Sequence, residues 1–295
     1  MKIVFLGTSG SSPTKERSLS SVALEHEGEI FLFDCGEGTQ RQMMINSLSI
    51  SKVTAIFLSH IHGDHTLGLA GLMRTLGLNR RTAPLQIFIP KAHIPGIKAL
   101  MGFDGAKMSY PVTITGIKSG TIYKGKGFTV SAFRLEHELE TYGFAFKEDD
   151  KLRFMKTKAT KAGLRGAMFS EIQKKGSLSV SGRIIKLKDI TTKEAGRKVV
   201  YATDTRPTRS AVTAAAGADL LIHEATYASE WISLARERKH STSEEAATIA
   251  KKAGAKRLLL THISARYKDT KVLLSDARKI FKNTEVATDG KVIEL

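Results

Sequence analysis

Cysteine, tryptophan, proline and acidic residues are all scarce here: the 295-residue chain has one cysteine, one tryptophan and six prolines. A lone thiol, Cys35, cannot close an intrachain disulfide, which excludes the disulfide-stapled scaffolds of small secreted domains. In the run FLFDCGEG it reads as a small packed side chain rather than a nucleophile. No apolar run reaches the roughly 18 residues a membrane helix needs, and the opening MKIVFLGTSG breaks at Gly7 before a signal-peptide core can form. Together these absences predict a cytoplasmic protein with no membrane partner. Acidic residues are outnumbered: 29 Asp and Glu against 46 Lys and Arg give a formal charge of +17 and a pI near 9.9. That balance predicts a polyanionic partner, nucleic acid ahead of an anionic membrane surface. The excess is also uneven, since Lys147 to Lys198 contains 15 Lys and Arg but only 6 Asp and Glu, more than half of the net charge.

Strands and helices alternate through both ends of the chain. Residues 2–6, 21–35 (with a hairpin turn at Glu27-Gly28), 53–58, 84–90, 128–135, 142–146, 198–203, 219–223 and 257–262 read as strands. Apolar spacing predicts helices over 65–77, 208–216, 243–253 and 271–281. The alternation predicts an α/β class with a layered core. The basic segment 147–197 interrupts it and reads as an insertion between two halves. His26, beside the hairpin turn, reads as a solvated histidine, and His93 has no partners in the sequence pattern.

Nine histidines are present, and three of them stand in the single stretch Ser59-His60-Ile61-His62-Gly63-Asp64-His65. This stretch follows a buried strand and precedes a helix, and Gly63 is expected to let the backbone turn sharply there. Other strands also end in a titratable residue: RLEH in His137, VYATD in Asp204 and LLLTH in His262. In layered α/β folds ligands gather at the carboxyl ends of strands, where loops vary on a rigid sheet. Imidazoles and carboxylates without thiolates suit a borderline ion such as zinc in a catalytic site. Seven such residues exceed one tetrahedral shell and fit two ions about 3.5–4 Å apart with one carboxylate bridging.

His60-Ile61-His62-Gly63-Asp64-His65 resembles the HxHxDH signature of the metallo-β-lactamase superfamily, which implies a four-layer αβ/βα sandwich. That superfamily contains lactamases, thioesterases, lactonases and nucleases. Further stretches resemble the tRNase Z (ribonuclease Z) family: Asp34-Cys35-Gly36-Glu37-Gly38-Thr39-Gln40, His223-Glu224-Ala225-Thr226, His240-Ser241-Thr242 and Thr261-His262-Ile263-Ser264-Ala265-Arg266-Tyr267. The resemblance runs the length of the chain. It implies one zinc on His60, His62 and His137, a second on Asp64, His65 and His262, and Asp204 bridging, with manganese an alternative ion. It implies a cut after the discriminator nucleotide of precursor tRNA by a metal-activated hydroxide, leaving a 3′-hydroxyl on the tRNA. Asp64 would orient or deprotonate the attacking water, and His240, tuned by Glu224, would protonate the leaving oxygen. Asp34 would buttress the ligand loop. Taken alone, His240 after Lys239 reads as a surface histidine, and Thr242 with Glu245 forms a T-x-x-E capping box for a helix that Gly254 ends.

The same resemblance makes 147–197 a flexible arm that grips tRNA away from the active site, carried by Gly163-Leu164-Arg165-Gly166-Ala167 and Lys174-Lys175-Gly176. Gly166-Ala167 stands where many such arms have Gly-Pro, which frees the backbone. Pro13-Thr14-Lys15-Glu16-Arg17-Ser18 resembles a PxKxRN loop that senses the tRNA 3′ end, with Ser18 in place of asparagine. Lys15, Arg17, Arg165, Lys174, Lys175 and Arg266 are the implied RNA contacts, and a homodimer in which one subunit's arm serves the other is implied. A small-molecule phosphodiesterase or ester hydrolase of the same fold is the alternative, and it would not need the arm. A nucleic-acid-binding protein with an inert metal site fits the open nitrogen and oxygen ligand set poorly.

Overall fold

The structure, a computed structural model, describes residues 1–102, 105 and 107–295. The chain divides into two compact units: a body, Met1–Lys147 with Lys198–Leu295, and an inserted unit, Glu148–Arg197.

The body contains two seven-stranded sheets. In order across the first lie Val292–Glu294, Lys2–Gly7, Ser21–His26, Glu29–Phe33, Val53–Phe57, Leu85–Pro90 and Val112–Ile117. The second runs Thr284–Val286, Leu258–Thr261, Leu220–Glu224, Lys198–Ala202, Tyr142–Glu148, Phe128–Arg134 and Gly120–Gly125. Each sheet has a parallel stretch, from Glu29–Phe33 to Val112–Ile117 in the first and from Thr284–Val286 to Lys198–Ala202 in the second. Strands covered on both faces are apolar on both. Ile3 and Phe5 therefore join the core between the sheets, while Val4 and Leu6 join the core outside the first sheet. The inner core is aromatic: Phe33 lies 5.5 Å from Phe57 and 5.9 Å from both Phe144 and Tyr201, ring centre to ring centre. Outside the first sheet, Leu69, Leu72, Met73 and Leu76 of the helix Gly68–Leu78 fill the space. Outside the second, the packing is alanine-rich, with Ala211 and Ala215 from Arg209–Ala215 and Ala246, Ala247 and Ala250 from Ser243–Ala253. Helix, sheet, sheet and helix make the four-layer sandwich that the resemblance implies.

Several expectations need correction. His26 is buried rather than solvated, its ring 5.2 Å from Phe128 and 5.4 Å from Phe146 in edge contacts. The chain does turn at Gly63, from the extended His62 (ψ 147°) into the short helix Gly63–Thr66, without a left-handed residue, and the bare Cα faces the Leu67 side chain, which an added Cβ would meet at 3.0 Å. The expected helix over 65–77 is thus divided, with Leu67 between Gly63–Thr66 and Gly68–Leu78. The strands Val112–Ile117 and Gly120–Gly125 and the helices Thr39–Ile45 and Ile94–Met101 are additional to the sequence reading. The helix Ser243–Ala253 opens with both hydrogen bonds of the Thr242–Glu245 capping box and ends at Gly254 in the left-handed conformation.

The inserted unit has its own small core of Ala159, Leu164, Ile172, Val180 and Ile190. Two antiparallel pairs, Lys151–Phe154 with Thr191–Glu194 and Ser177–Val180 with Arg183–Lys186, accompany the helices Lys156–Lys161 and Met168–Lys175. Its two ends are tied by the Arg197 guanidinium on the Glu148 carboxylate, Nε to Oε2 at 2.7 Å. Gly166 sits at φ 48° and Ala167 at φ −62° where the chain enters Met168–Lys175. Arg165, Lys174 and Lys175 are exposed, and Lys175 pairs with Glu171 one helical turn earlier at 2.7 Å.

Candidate metal and catalytic site

The carboxyl ends of the strands put the titratable residues in one place. Asp34 follows Glu29–Phe33, His60 follows Val53–Phe57, His137 follows Phe128–Arg134, Asp204 follows Lys198–Ala202, and His262 follows Leu258–Thr261. Asp34, Asp204 and His262 each adopt a left-handed backbone, at φ 60°, 44° and 55°, a conformation uncommon for L-residues although aspartate and histidine take it more readily than most. The space beside His262 exists because residue 10 is glycine: a Cβ there would lie 2.4 Å from the imidazole.

Donor atoms converge in two groups that share Asp204. His60, His62, His137 and Asp204 form one and Asp64, His65, Asp204 and His262 the other, each with its ligand atoms within 4.8 Å of one another. His60 Nε2 lies 2.9 Å from His62 Nδ1, and His137 Nε2 lies 3.4 Å from the same atom. In the second group His65 Nε2 and His262 Nε2 lie 3.2 and 3.1 Å from Asp204 Oδ1, and each is 3.4 Å from Asp64 Oδ2. Asp204 Oδ2 faces the first group, 3.7 Å from the Nε2 atoms of His60 and His137. One carboxylate therefore presents an oxygen to each group.

The outward-facing ring nitrogens of His60, His65, His137 and His262 are engaged by protein groups, which fixes these rings with the inner nitrogens turned to the centre. His65 Nδ1 donates to Asp34 Oδ2 at 2.8 Å, and Asp34 is itself held by the Ser59 amide and hydroxyl and the Tyr201 hydroxyl at 2.7, 3.0 and 2.8 Å. His137 Nδ1 donates to the Lys239 carbonyl at 3.2 Å, and His262 Nδ1 to Thr226 Oγ1 at 2.9 Å. The Ser11 amide donates to Asp64 Oδ2 at 2.7 Å.

Electrostatics within this cluster are lopsided. Burial and the neighbouring histidines hold His60 and His62 in the neutral form, the state that donates a lone pair. Burial opposes charge on His65 too, yet Asp204, Asp34 and Asp64 together raise its proton affinity well above normal. Asp204 and Asp64 remain ionised despite burial because the imidazoles face them. Buried carboxylates and clustered imidazoles at these separations fit divalent cations, and nitrogen and oxygen donors without sulfur suit zinc or manganese.

Adjacent to the metal groups is a second arrangement, centred on Glu224. Its Oε1 accepts from His240 Nδ1 at 3.0 Å and from the Thr205 amide at 2.6 Å, and its Oε2 accepts from Thr226 Oγ1 at 2.6 Å. Through Thr226 it reaches His262, and through Thr205 it reaches the turn that carries Asp204. Burial disfavours charge on both partners, but their mutual attraction prevails: His240 is raised to about 9 and Glu224 lowered to about 2. His240 is buried, unlike its surface appearance in sequence. Arg206 stabilises its position by donating to the His240 carbonyl and gripping both oxygens of Glu245.

An open pocket of about 390 Å³ gives access to this centre, lined by His62, Asp64, His137, Asp204 and His240 with Tyr227, Arg238 and Arg266 at its wall. Arg266 is exposed beside it, with its guanidinium over the Tyr227 and Trp231 rings. Lys15 is exposed. Arg17, by contrast, turns inward and donates to Thr8 Oγ1 and the Ala287 carbonyl at 2.6 and 2.7 Å, so its guanidinium braces the loop. Sequence reading assigned no role to Ser11, Ser59, Tyr201, Thr226, Arg206, Trp231 and Arg238; of these Ser59, Tyr201 and Thr226 lay inside the stretches that carry the ligand and His223-Glu224-Ala225-Thr226 motifs.

Comparisons with known proteins agree with this arrangement. A family model described as Anti-Pycsar protein Apyc1 matches residues 1–170, and one described as Beta-lactamase superfamily domain matches residues 174–263. Ribonuclease Z of Methanothermobacter thermautotrophicus is 40% identical over 301 residues, spanning 100% of this chain and 97% of that protein. Ribonuclease Z of Archaeoglobus fulgidus is 41% identical over 302 residues, with 100% and 97% covered. The crystal structure of the short form of human tRNase Z superposes with a TM-score of 0.71 at 29% identity, covering 100% of this chain and 99% of that one. With identity of this extent along its whole length, and with the strand-end histidines and aspartates gathered as described, the chain belongs to the ribonuclease Z family.

Proposed function

We propose that the protein is a metal-dependent endoribonuclease that removes the 3′ trailer of precursor tRNA, cutting after the discriminator nucleotide to leave a 3′-hydroxyl. The observation that carries this reading is the shared Asp204 between two donor groups, with the His240–Glu224 pair opening on the same pocket. His60, His62 and His137 would hold one ion, Asp64, His65 and His262 the other, and Asp204 both, with zinc the ion proposed and manganese accepted by the same donors. Bound, the pair of ions would supply Lewis acidity toward the phosphate and lower the pKa of a coordinated water.

The chain's own groups do the rest. Asp64 Oδ2, held by the Ser11 amide, would orient the attacking water or take its proton. His240 carries a proton at neutral pH because Glu224 faces its Nδ1, which leaves Nε2 as the donor to the departing 3′-oxygen. Arg266 and Arg238 at the pocket wall offer positive charge to the flanking RNA backbone. The inserted unit, with Arg165, Lys174 and Lys175 exposed, is proposed to bind tRNA away from the cut. A homodimer is proposed as the working form, to be read by light scattering.

The test is cleavage of an end-labelled precursor tRNA bearing a short 3′ trailer by metal-replete protein, chelated protein and Asp64→Ala. We expect one metal-dependent cut next to the discriminator, abolished in the variant while the RNA still binds. Intact hydrolysis of small diesters with no cut in tRNA would instead support a small-molecule phosphodiesterase.

A further inference from the structure

The single tryptophan of the chain stands in water close to the cleavage site: Trp231 is 43% exposed, at the end of the turn Ser229–Trp231. The guanidinium carbon of Arg266 lies 4.6 Å from the centre of its ring and 4.9 Å from that of Tyr227. Tyr227 in turn is 6.1 Å from the His240 ring. Flat groups thus succeed one another from solvent to the proton donor: Trp231, Arg266, Tyr227, His240.

The turn that carries Trp231 is fixed to the body. The Ala228 amide donates to the Tyr267 hydroxyl at 2.8 Å, the Ser229 amide to Asp276 Oδ2 at 3.2 Å, and the Trp231 amide to the Ala228 carbonyl at 3.0 Å. The indole Nε1 donates to Glu230 Oε1 at 3.0 Å, which sets the ring's orientation. A scattered exposed aromatic residue is ordinary, but this one shares a guanidinium with the wall of a catalytic pocket. A planar cation over aromatic faces presents a surface on which any base can stack, with little entropy lost on binding.

We propose that Trp231, Arg266 and Tyr227 form a stacking platform for one unpaired nucleobase flanking the scissile phosphate. This rests on the RNA-cleaving function proposed above. The platform begins beside His240, the donor to the departing 3′-oxygen, so the base on that side, the discriminator, is the first candidate and the first trailer base the second.

Because Trp231 is the only tryptophan, its emission reports on the platform directly. The Asp64→Ala protein, which leaves RNA uncut, is titrated with three RNAs whose binding is followed separately by an end label: precursor tRNA, the same RNA abasic at the discriminator, and the same RNA abasic at the first trailer position. Quenching by the intact RNA that is lost with one abasic RNA supports the platform and names the base. Emission that stays constant as RNA saturates the protein, or equal quenching by all three, overturns it. In the active protein, Trp231→Ala is expected to lower kcat/KM roughly tenfold while Trp231→Phe stays within about threefold of wild type. Equal losses in the two variants would overturn stacking as the cause. A wild-type protein that fails to cut tRNA would defeat the proposed function, and the emission titration would still test the platform.

Discussion

Asp34, Asp204, Glu224 and His262 of the body are almost fully withdrawn from water, and each is held by named partners within hydrogen-bond reach. In the inserted unit, Arg165, Lys174 and Lys175 stand in solvent, over a core of only five buried apolar residues. The difference fits what each is proposed to bind. Chemistry at one phosphorus atom requires a few groups held to fractions of an ångström, which only buried, cross-braced side chains on rigid strands provide. Attraction of a polyanion requires many cations whose counterions are released together, and it tolerates mobile side chains. Buried groups should therefore fail abruptly when changed, and exposed ones by small additive steps.

The sharpest break after loss of Asp64 is expected at the buried pair. His240→Ala should lower the cleavage rate by about 10²- to 10⁴-fold, the usual range for a lost general acid. If His240 is the acid, the high-pH limb of the wild-type rate profile is expected near pH 9, and Glu224→Gln should move it to lower pH, because the charge that retains the proton is gone. Stability carries the same signature. His240 binds its proton more tightly folded than its ordinary value of 6.5 allows, so its contribution is complete below about pH 6.5 and disappears as the pH rises through about 9. Glu224, depressed from 4.5 to about 2, contributes above pH 4.5 and loses that contribution as the pH falls through 2. Thermal melts from about pH 2 to 10 should show that dependence in wild type and its attenuation in Glu224→Gln.

A second break separates the two regions. Lys147 and Lys198 already face each other across an antiparallel pair, so a short turn can replace Glu148–Arg197 without lengthening either strand. That replacement should weaken precursor binding by on the order of 10²-fold and flatten its salt dependence, while hydrolysis of a small diester persists. Loss of both activities would show that the inserted unit serves folding. A finer probe is Lys174→Ala or Lys175→Ala, each expected to lower affinity a few-fold and the salt slope by about one. The smallest effect is expected at Ala167, whose φ of −62° is the angle proline fixes. Ala167→Pro should stabilise the inserted unit by about 0.5 kcal/mol, measured by hydrogen exchange of the helix Met168–Lys175.

The ligand loop was legible because four titratable residues in six positions rarely coincide by chance, and strand-end residues could be matched to it. Residues acting singly were not. Arg206 and Trp231 look like ordinary surface side chains in sequence, and their importance lies in what the fold brings beside them: the His240 carbonyl for one, Arg266 for the other. Val112–Ile117 escaped although Val112 and Ile114 alternate with Thr113 and Thr115 as a half-covered edge strand should, because Gly116 and Gly120 read as turn punctuation; Gly120–Gly125 is bounded by the same signal at both ends. Ile94–Met101 was concealed by Pro95 and Gly96, although proline is favourable in a first turn. His26 looked solvated because a turn adjoins it, and only the opposite sheet, with Phe128 and Phe146, encloses it.

The left-handed backbones of Asp34, Asp204 and His262 have a consequence for how the protein tolerates change. Such conformations cost about 1–3 kcal/mol each in an L-residue, so the active centre works against the heat resistance of the scaffold that holds it. Glycine at position 262 would relieve one of these conformations while removing a metal-site imidazole. That relief would be set against the lost bond to Thr226 Oγ1 and the lost imidazole beside Asp204 and Asp64, so the strained turn is held in place by the very contacts that its side chain makes.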